Sequence, residues 1–265
     1  MNLIYETTVE NCGNNYSLWF YKIAQKLMWG TSLYIDNVQY RICEISFHYS
    51  QKGKHEDPWI FNYEAQTVAE KWFLNDKAET VDISMGKDGS CGGILLRSIC
   101  EESDFQKSNK TLGVKEIYRL FGGRESEVKG KYISDKNKIY LKKNEFYSLP
   151  VVISAPRVTL HYHNKTKRYD DDKMFEFLFK RYRYSIFPKN LIPYEKKDEH
   201  ILYASHSADI SPFSHFDTYE EMSCILTKFK KMKTSDRNLN IKDWDSMNPD
   251  DALELYAQWV QKFGV

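Results

Sequence analysis

The stretch RICEISFHYS, residues 41–50, constrains the fold more than any other part of the chain. As a β-strand it sends Cys43, Ile45, Phe47 and Tyr49 to one face and Glu44, Ser46 and His48 to the other, because side chains alternate along an extended backbone. One face suits a core. The other carries an acid, a hydroxyl and an imidazole, and is either wet surface or the floor of an active site.

The neighbouring segments extend this pattern into a sheet. SLYIDNVQY, ETVDISMG, GGILLRSIC, KIYLKK, PVVISAPRVTLHYH and RYRYSIFP read as further strands, while YSLWFYKIAQKLMWG and LGVKEIYRLFGG carry helical spacing. The expected class is α+β: a single domain with a curved antiparallel sheet and surrounding helices. Residues 1–195 form this body and 196–265 a helical extension packed on it. In the extension, DTYEEMSCILTKFKKMK gathers Met222, Ile225, Leu226 and Phe229 on one helix face. NPDDALELYAQWVQKFG then starts on Asn248 as cap, with Pro249 in the first turn and two aspartates near the positive end of the dipole, and stops at Gly264.

A chain of 265 residues with 42% hydrophobic residues can bury a sizeable core. No apolar run approaches the roughly 18 residues of a membrane span, and MNLIYETTVENCGNN lacks a signal-peptide pattern, so a cytoplasmic location without membrane association is expected. The five cysteines are odd in number and show no CxxC spacing, which favours reduced thiols over a disulfide framework or a zinc ribbon. A net charge of +1 gives no global signal for nucleic acid, although local basic clusters can supply one.

The GxSxG, GxxxxGK[ST], HExxH and HxE…PCxxC signatures are absent, which lowers nucleotide hydrolysis and zinc chemistry as readings. KDGSCGGILLRSI resembles a phosphate loop but leads into a strand, so no helix dipole serves an anion there, and a tight turn feeding a buried strand is expected. Arg97 follows the apolar run Ile94, Leu95, Leu96 and needs an anionic or carbonyl partner.

The order RICEISFHYS, HEDPWIFNY, VDISMG and GGILLRSI resembles the central part of the alkyladenine (3-methyladenine) DNA glycosylase family. YSLWFYKIAQKLMWGTSLYID looks like that family's opening helix and strand, LGVKEIYRLFGG like its helix after the arginine strand, and SAPRVTL with RYRYSIFPKN like its closing strands. The resemblance spans roughly residues 16–192 and rests on order and spacing. With Arg41 and Ile42 as anchor, it places the family's water-activating carboxylate on Ser46, its pocket tyrosine on His48, its histidine near Phe61, its asparagine on Asp82 and its arginine on Arg97. Only the arginine is identical. Serine stays protonated near neutral pH and cannot serve as general base. Glu44 lies two residues earlier on the same face, about 7 Å away along the strand.

Hydrolysis of an N-glycosidic bond develops positive character on the sugar and negative charge on the departing base. The resemblance thus implies Glu44 or Asp82 as the carboxylate, His48 as donor to the base and Arg97 as a third catalytic group. Ser46, His48, Trp59, Phe61 and Tyr63 would line the base pocket, with Trp72 and Phe73 as further ring surfaces for a flipped base. In FKRYRYSIFPKN, cations interleave with aromatics as a DNA backbone track would, which singles out Lys180, Arg181 and Arg183.

The expectation is a monomeric, monofunctional DNA glycosylase acting on double-stranded DNA without cofactor or metal. Ser46 makes room for a bulky base, such as a hypermodified pyrimidine in phage DNA, and excision would then serve antiviral defence. Other readings stay open: an inactive DNA-binding module of the same fold, or an unrelated α+β interaction protein. Arg97 could equally hold a structural carboxylate, Asp82 a turn, and the aromatics a core.

Overall fold

A computed structural model describes residue 6 and residues 8–61, 63–105, 110–144, 150–157, 160, 169–186, 196–205, 219–232, 237 and 239–263. The fold is α+β, with one antiparallel sheet, surrounding helices and further helices toward the C-terminus. The chain divides into two compact units: residues 1–154 with 182–190, and residues 155–181 with 191–265. Residues 155–181 thus belong with the C-terminal helices, although the sequence pattern groups them with the sheet.

In the first unit, α1 (Tyr16–Met28) starts on Asn15, whose side chain accepts from the Leu18 amide at 3.0 Å. Strands β1 (Thr31–Ile35) and β2 (Val38–Gln51) form a hairpin through Asp36 and Asn37, at φ of 47° and 70°, the signature of a tight two-residue turn. The short β3 (His55–Glu56) folds back on the end of β2. Then follow β4 (Trp72–Asn75), β5 (Thr80–Ser84), β6 (Ser90–Glu101), the short α2 (Glu102–Phe105), β7 (Leu112–Gly113), α3 (Val114–Leu120), β8 (Ile139–Lys143) and β9 (Ile153–Ala155). The sheet runs β4–β5–β6–β2–β1–β8, and β10 (Arg183–Ser185) adds to β2.

The apolar face of RICEISFHYS is core. Phe47 stacks on Phe20 of α1 with ring centroids 4.5 Å apart, and Tyr49 meets Trp19 edge-on at 5.4 Å. Trp72 lies on this face too, enclosed with Phe121 at 4.9 Å, so it is a core residue and not a stacking platform. Beyond Glu44, Arg41 forks onto Glu102, with contacts of 2.6 and 3.2 Å, and lies over the Phe105 ring at 4.7 Å.

The glycine cluster does begin with a turn. Gly89 has φ of 83°, and the Ser90 hydroxyl and amide both bond the Lys87 carbonyl. Gly92 and Gly93 have a different reason to lack side chains, since both sit inside β6. A Cβ on Gly92 would lie 2.3 Å from the His48 carbonyl oxygen, so close backbone approach of the two central strands demands glycine there.

In the second unit, α4 (Asp171–Leu178) is capped by Asp170, which accepts from the Lys173 amide at 2.8 Å. Helices α5 (Lys196–Ser205), α6 (Tyr219–Met232) and α7 (Pro249–Phe263) pack together. Asn248 caps α7 as expected, accepting from the Asp251 amide at 3.0 Å. Ile225 and Phe229 are buried, and Phe229 stacks on Tyr256 at 5.5 Å. The Met222 side chain, Gly264, residues 187–190 of the basic–aromatic segment, and residues 158, 159 and 161–163 of the strand expected there lie outside the described residues. No helix among the described residues is long and apolar enough to cross a membrane.

Candidate functional site

The polar face of RICEISFHYS is not a wet surface: Ser46 is 0% and Glu44 4% exposed. The ladders show what shares that face. Ser46 pairs with Arg183 on β10 and with Leu95 on β6, and Leu95 pairs with Asp82 on β5, which pairs with Phe73 on β4. Directly opposed residues point the same way, so Arg183, Ser46, Leu95, Asp82 and Phe73 form one row across five strands. The next row holds His48, Gly93 and Ser84. His48 Nε2 lies 3.2 Å from the Ser46 hydroxyl.

Around Glu44 the ladder slips twice. Cys43 has no opposite residue on β6, and Arg97 has none on β2. The result is a buried ion cluster. Glu44 Oε1 accepts from Arg97 Nε at 2.8 Å and from Arg183 Nε at 2.5 Å. The Glu44 and Arg183 side chains are 5% and 2% exposed, and Arg97 is 12% exposed. Charges removed from water at this depth are tolerated only when paired and hydrogen-bonded. Arg97 thus has the anionic partner its position demanded, and that partner is another expected site residue. One oxygen of Glu44 carries two guanidinium groups, an arrangement that suits anchoring better than activating water.

This geometry corrects the assignment of Arg183 to a DNA backbone track. Tyr182 and Tyr184 take the core face, so alternation turns Arg183 inward onto Glu44, away from any phosphate outside. Lys180 and Arg181 belong to the second unit. Lys180 Nζ pairs with Glu176 at 2.9 Å and lies 4.3 Å from the Phe177 ring centre, while Arg181 donates to the Ser205 carbonyl.

Asp82 differs from Glu44 in kind. No cation of the described residues pairs with it; its Oδ2 accepts from the Gln66 side-chain amide at 3.0 Å. Burial pushes its carboxyl up to about 7, against a smaller opposing effect of the Gln66 hydrogen bond. Such a group exchanges protons near neutral pH, as general acid–base work requires. The shift also has a thermodynamic sign. Between the ordinary value of 3.8 and about 7, folded Asp82 keeps a proton that the unfolded chain has released. Its contribution to stability is therefore fully present below that window and is lost as pH rises through it. Asp82→Asn removes the loss, so the variant should gain thermal stability relative to wild type on going from about pH 5 to about pH 8. Melting curves of both proteins at the two pH values check this, and parallel profiles would contradict it.

The aromatic candidates separate by depth. Phe61 is 48% exposed, Tyr63 packs 5.8 Å from it, and Tyr63 packs 5.2 Å from Phe73, the cross-strand neighbour of Asp82. Three rings thus step from the surface to the carboxyl. The Cys91 thiol donates to the Tyr63 carbonyl at 3.3 Å and holds this segment over the polar face. Trp59 is 8% exposed, with its amide bonded to Asp57 Oδ1, and is a buried anchor of its loop. The structure brings Glu44, Ser46, His48, Asp82, Arg97, Phe61 and Tyr63 to one side of the sheet, adds Arg183, and leaves Lys180 and Arg181 in the other unit.

Gln66 belongs to none of the motifs read from the sequence. The signal that could have found it is Gly93, a glycine in a strand interior, which marks close approach by another group. Among the described residues no group of three or more His, Cys, Asp or Glu side chains could hold a metal ion. No family model matches the chain, and no curated protein matches it.

Proposed function

We propose that the protein is a DNA glycosylase that flips a modified base onto this polar face and hydrolyses its N-glycosidic bond, with Asp82 rather than Glu44 as the reacting carboxyl. The observation that carries the reading is a buried Asp82 that pairs with no cation among the described residues, beside the ring series Phe61, Tyr63 and Phe73. Water adds to the anomeric carbon as the bond to the base breaks, and the electron pair leaves with the base, which takes up a proton. Asp82 in its ionised form can accept the proton of the attacking water; His48, hydrogen-bonded to Ser46, is the candidate donor to the base. Glu44 holds Arg97 and Arg183 in place. The small side chain at position 46, where the resemblance places a carboxylate, is what suggests a bulky base, such as a hypermodified pyrimidine in phage DNA.

The reading is tested by incubating the protein with duplexes carrying different modified purines and pyrimidines and measuring free base by mass spectrometry. Base release from one class of DNA is expected. Release from none would leave the second reading, a catalytically inert DNA-binding module, which the anchoring of Glu44 and the serine at position 46 favour.

Both readings take double-stranded DNA as partner. With Arg183 buried, Lys180 and Arg181 remain the phosphate candidates of their segment. Replacing both by alanine should weaken DNA binding and lower the steepness of its salt dependence by about one to two counterions. An unchanged slope in a salt titration would remove the segment from the interface.

A further inference from the structure

We infer that Gln66 is a positioning residue, seated by two glycines so that it holds one oxygen of Asp82 and leaves the other to face the ligand of the polar face. The inference rests on the reading of Asp82 as the reacting carboxyl. Gln66 is 5% exposed and ends the short 3-10 turn Glu64–Gln66. Its backbone is fixed from two sides: the amide donates to the Tyr63 carbonyl at 2.9 Å, and the carbonyl accepts from the Gly86 amide at 3.0 Å. The Thr67 hydroxyl closes the turn onto the Glu64 carbonyl at 2.6 Å, and the Ser84 hydroxyl ties the Val68 carbonyl to β5 at 2.6 Å.

The glycines supply space, not unusual backbone angles, since neither Gly86 nor Gly93 has positive φ. A Cβ on Gly86 would lie 2.1 Å from the Gln66 carbonyl oxygen and 2.4 Å from Thr67 Cα, so the turn could not sit this close to the sheet. A Cβ on Gly93 would lie 2.6 Å from Gln66 Nε2 and 3.1 Å from Asp82 Cβ. The amide occupies the volume that any other residue at 93 would fill. A buried amide set rigidly against a carboxyl selects its orientation.

Asp82 faces Phe73 from β4, Leu95 from β6 and Gln66 from the turn; on the same side of the sheet, His48 stands on the next row opposite Gly93, and the charged groups Arg183, Glu44 and Arg97 lie beyond Leu95 and Ser46. The Gln66 donor favours the ionised carboxyl and works against burial, the larger effect. Its removal should therefore raise the titration midpoint of Asp82 further. A side chain that only filled space would leave that midpoint where it is.

The experiment follows the Asp82 carboxyl carbon by NMR in aspartate-labelled protein from about pH 5 to about pH 9, assigned with Asp82→Asn, in wild type, Gln66→Met and Gly93→Ala. Gln66→Met keeps length and loses the donor. Gly93→Ala keeps the donor and displaces it. Both should move the midpoint upward, and the double variant should move it no further than Gln66→Met alone, because both changes break one contact. Where base release is measurable, the limb of its pH–rate profile that reports Asp82 should move with the midpoint. An unchanged midpoint in both single variants, or additive shifts in the double variant, would overturn the inference. If wild type releases no base from any DNA, the glycosylase reading fails while the titration still decides the role of Gln66.

Discussion

Glu44→Gln should destabilise the protein by about 3–5 kcal/mol, the usual cost of removing one partner from a buried ion pair. The amide keeps the size of the side chain but loses its charge, leaving the Arg97 and Arg183 guanidiniums, 12% and 2% exposed, beside a neutral group. Denaturant unfolding at neutral pH checks the value. A loss below about 0.5 kcal/mol, the range of surface substitutions, would mean that Glu44 does not anchor the two arginines. Replacing Glu44, Arg97 and Arg183 together by apolar residues of similar volume should restore much of the stability, since a buried ion cluster often contributes less than good apolar packing.

Asp82→Asn should lower base excision by roughly 100-fold or more, the scale of losing a positioned general base, while the fold persists. Asparagine is isosteric, and its carbonyl can still accept from the Gln66 amide that now meets Asp82 at 3.0 Å. It cannot take a proton from water. Single-turnover rates on the best substrate provide the measurement. Undiminished rates would exclude Asp82 as the base and return attention to Glu44.

Sequence alone makes the central strand legible because alternation is a backbone property. RICEISFHYS divides into a face that packs on α1 and a buried polar face that carries the candidate site, and Asn248 caps its helix as its position before Pro249 implies. The same alternation was available in RYRYS, where Tyr182 and Tyr184 on the core face require Arg183 to share a face with Ser46. The density of cations there suggested surface instead. The β4 strand, WFLN at 72–75, is short and offers only two turns of alternation, too little to stand out from the aromatic loop before it. Helix α4 lies in a segment rich in acids, where the Asp170 cap and the first-turn aspartates Asp171 and Asp172 are the local signs of a start. The ion cluster and the Gln66 contact depend on bulges and on pairing between residues distant in sequence: Glu44 and Arg183 are 139 positions apart. No local pattern encodes such a meeting.

The proposed reaction is hydrolysis of an N-glycosidic bond at Asp82. It is tested most directly by running the reaction on modified duplex DNA in water enriched in heavy oxygen, with wild type and Asp82→Asn side by side. The expected products are free base and an abasic sugar carrying one heavy oxygen at its anomeric carbon, with the phosphodiester backbone intact and the yield collapsing in the variant. Unaltered DNA from wild type across all substrates, or the same labelled product at the same rate from Asp82→Asn, would contradict it.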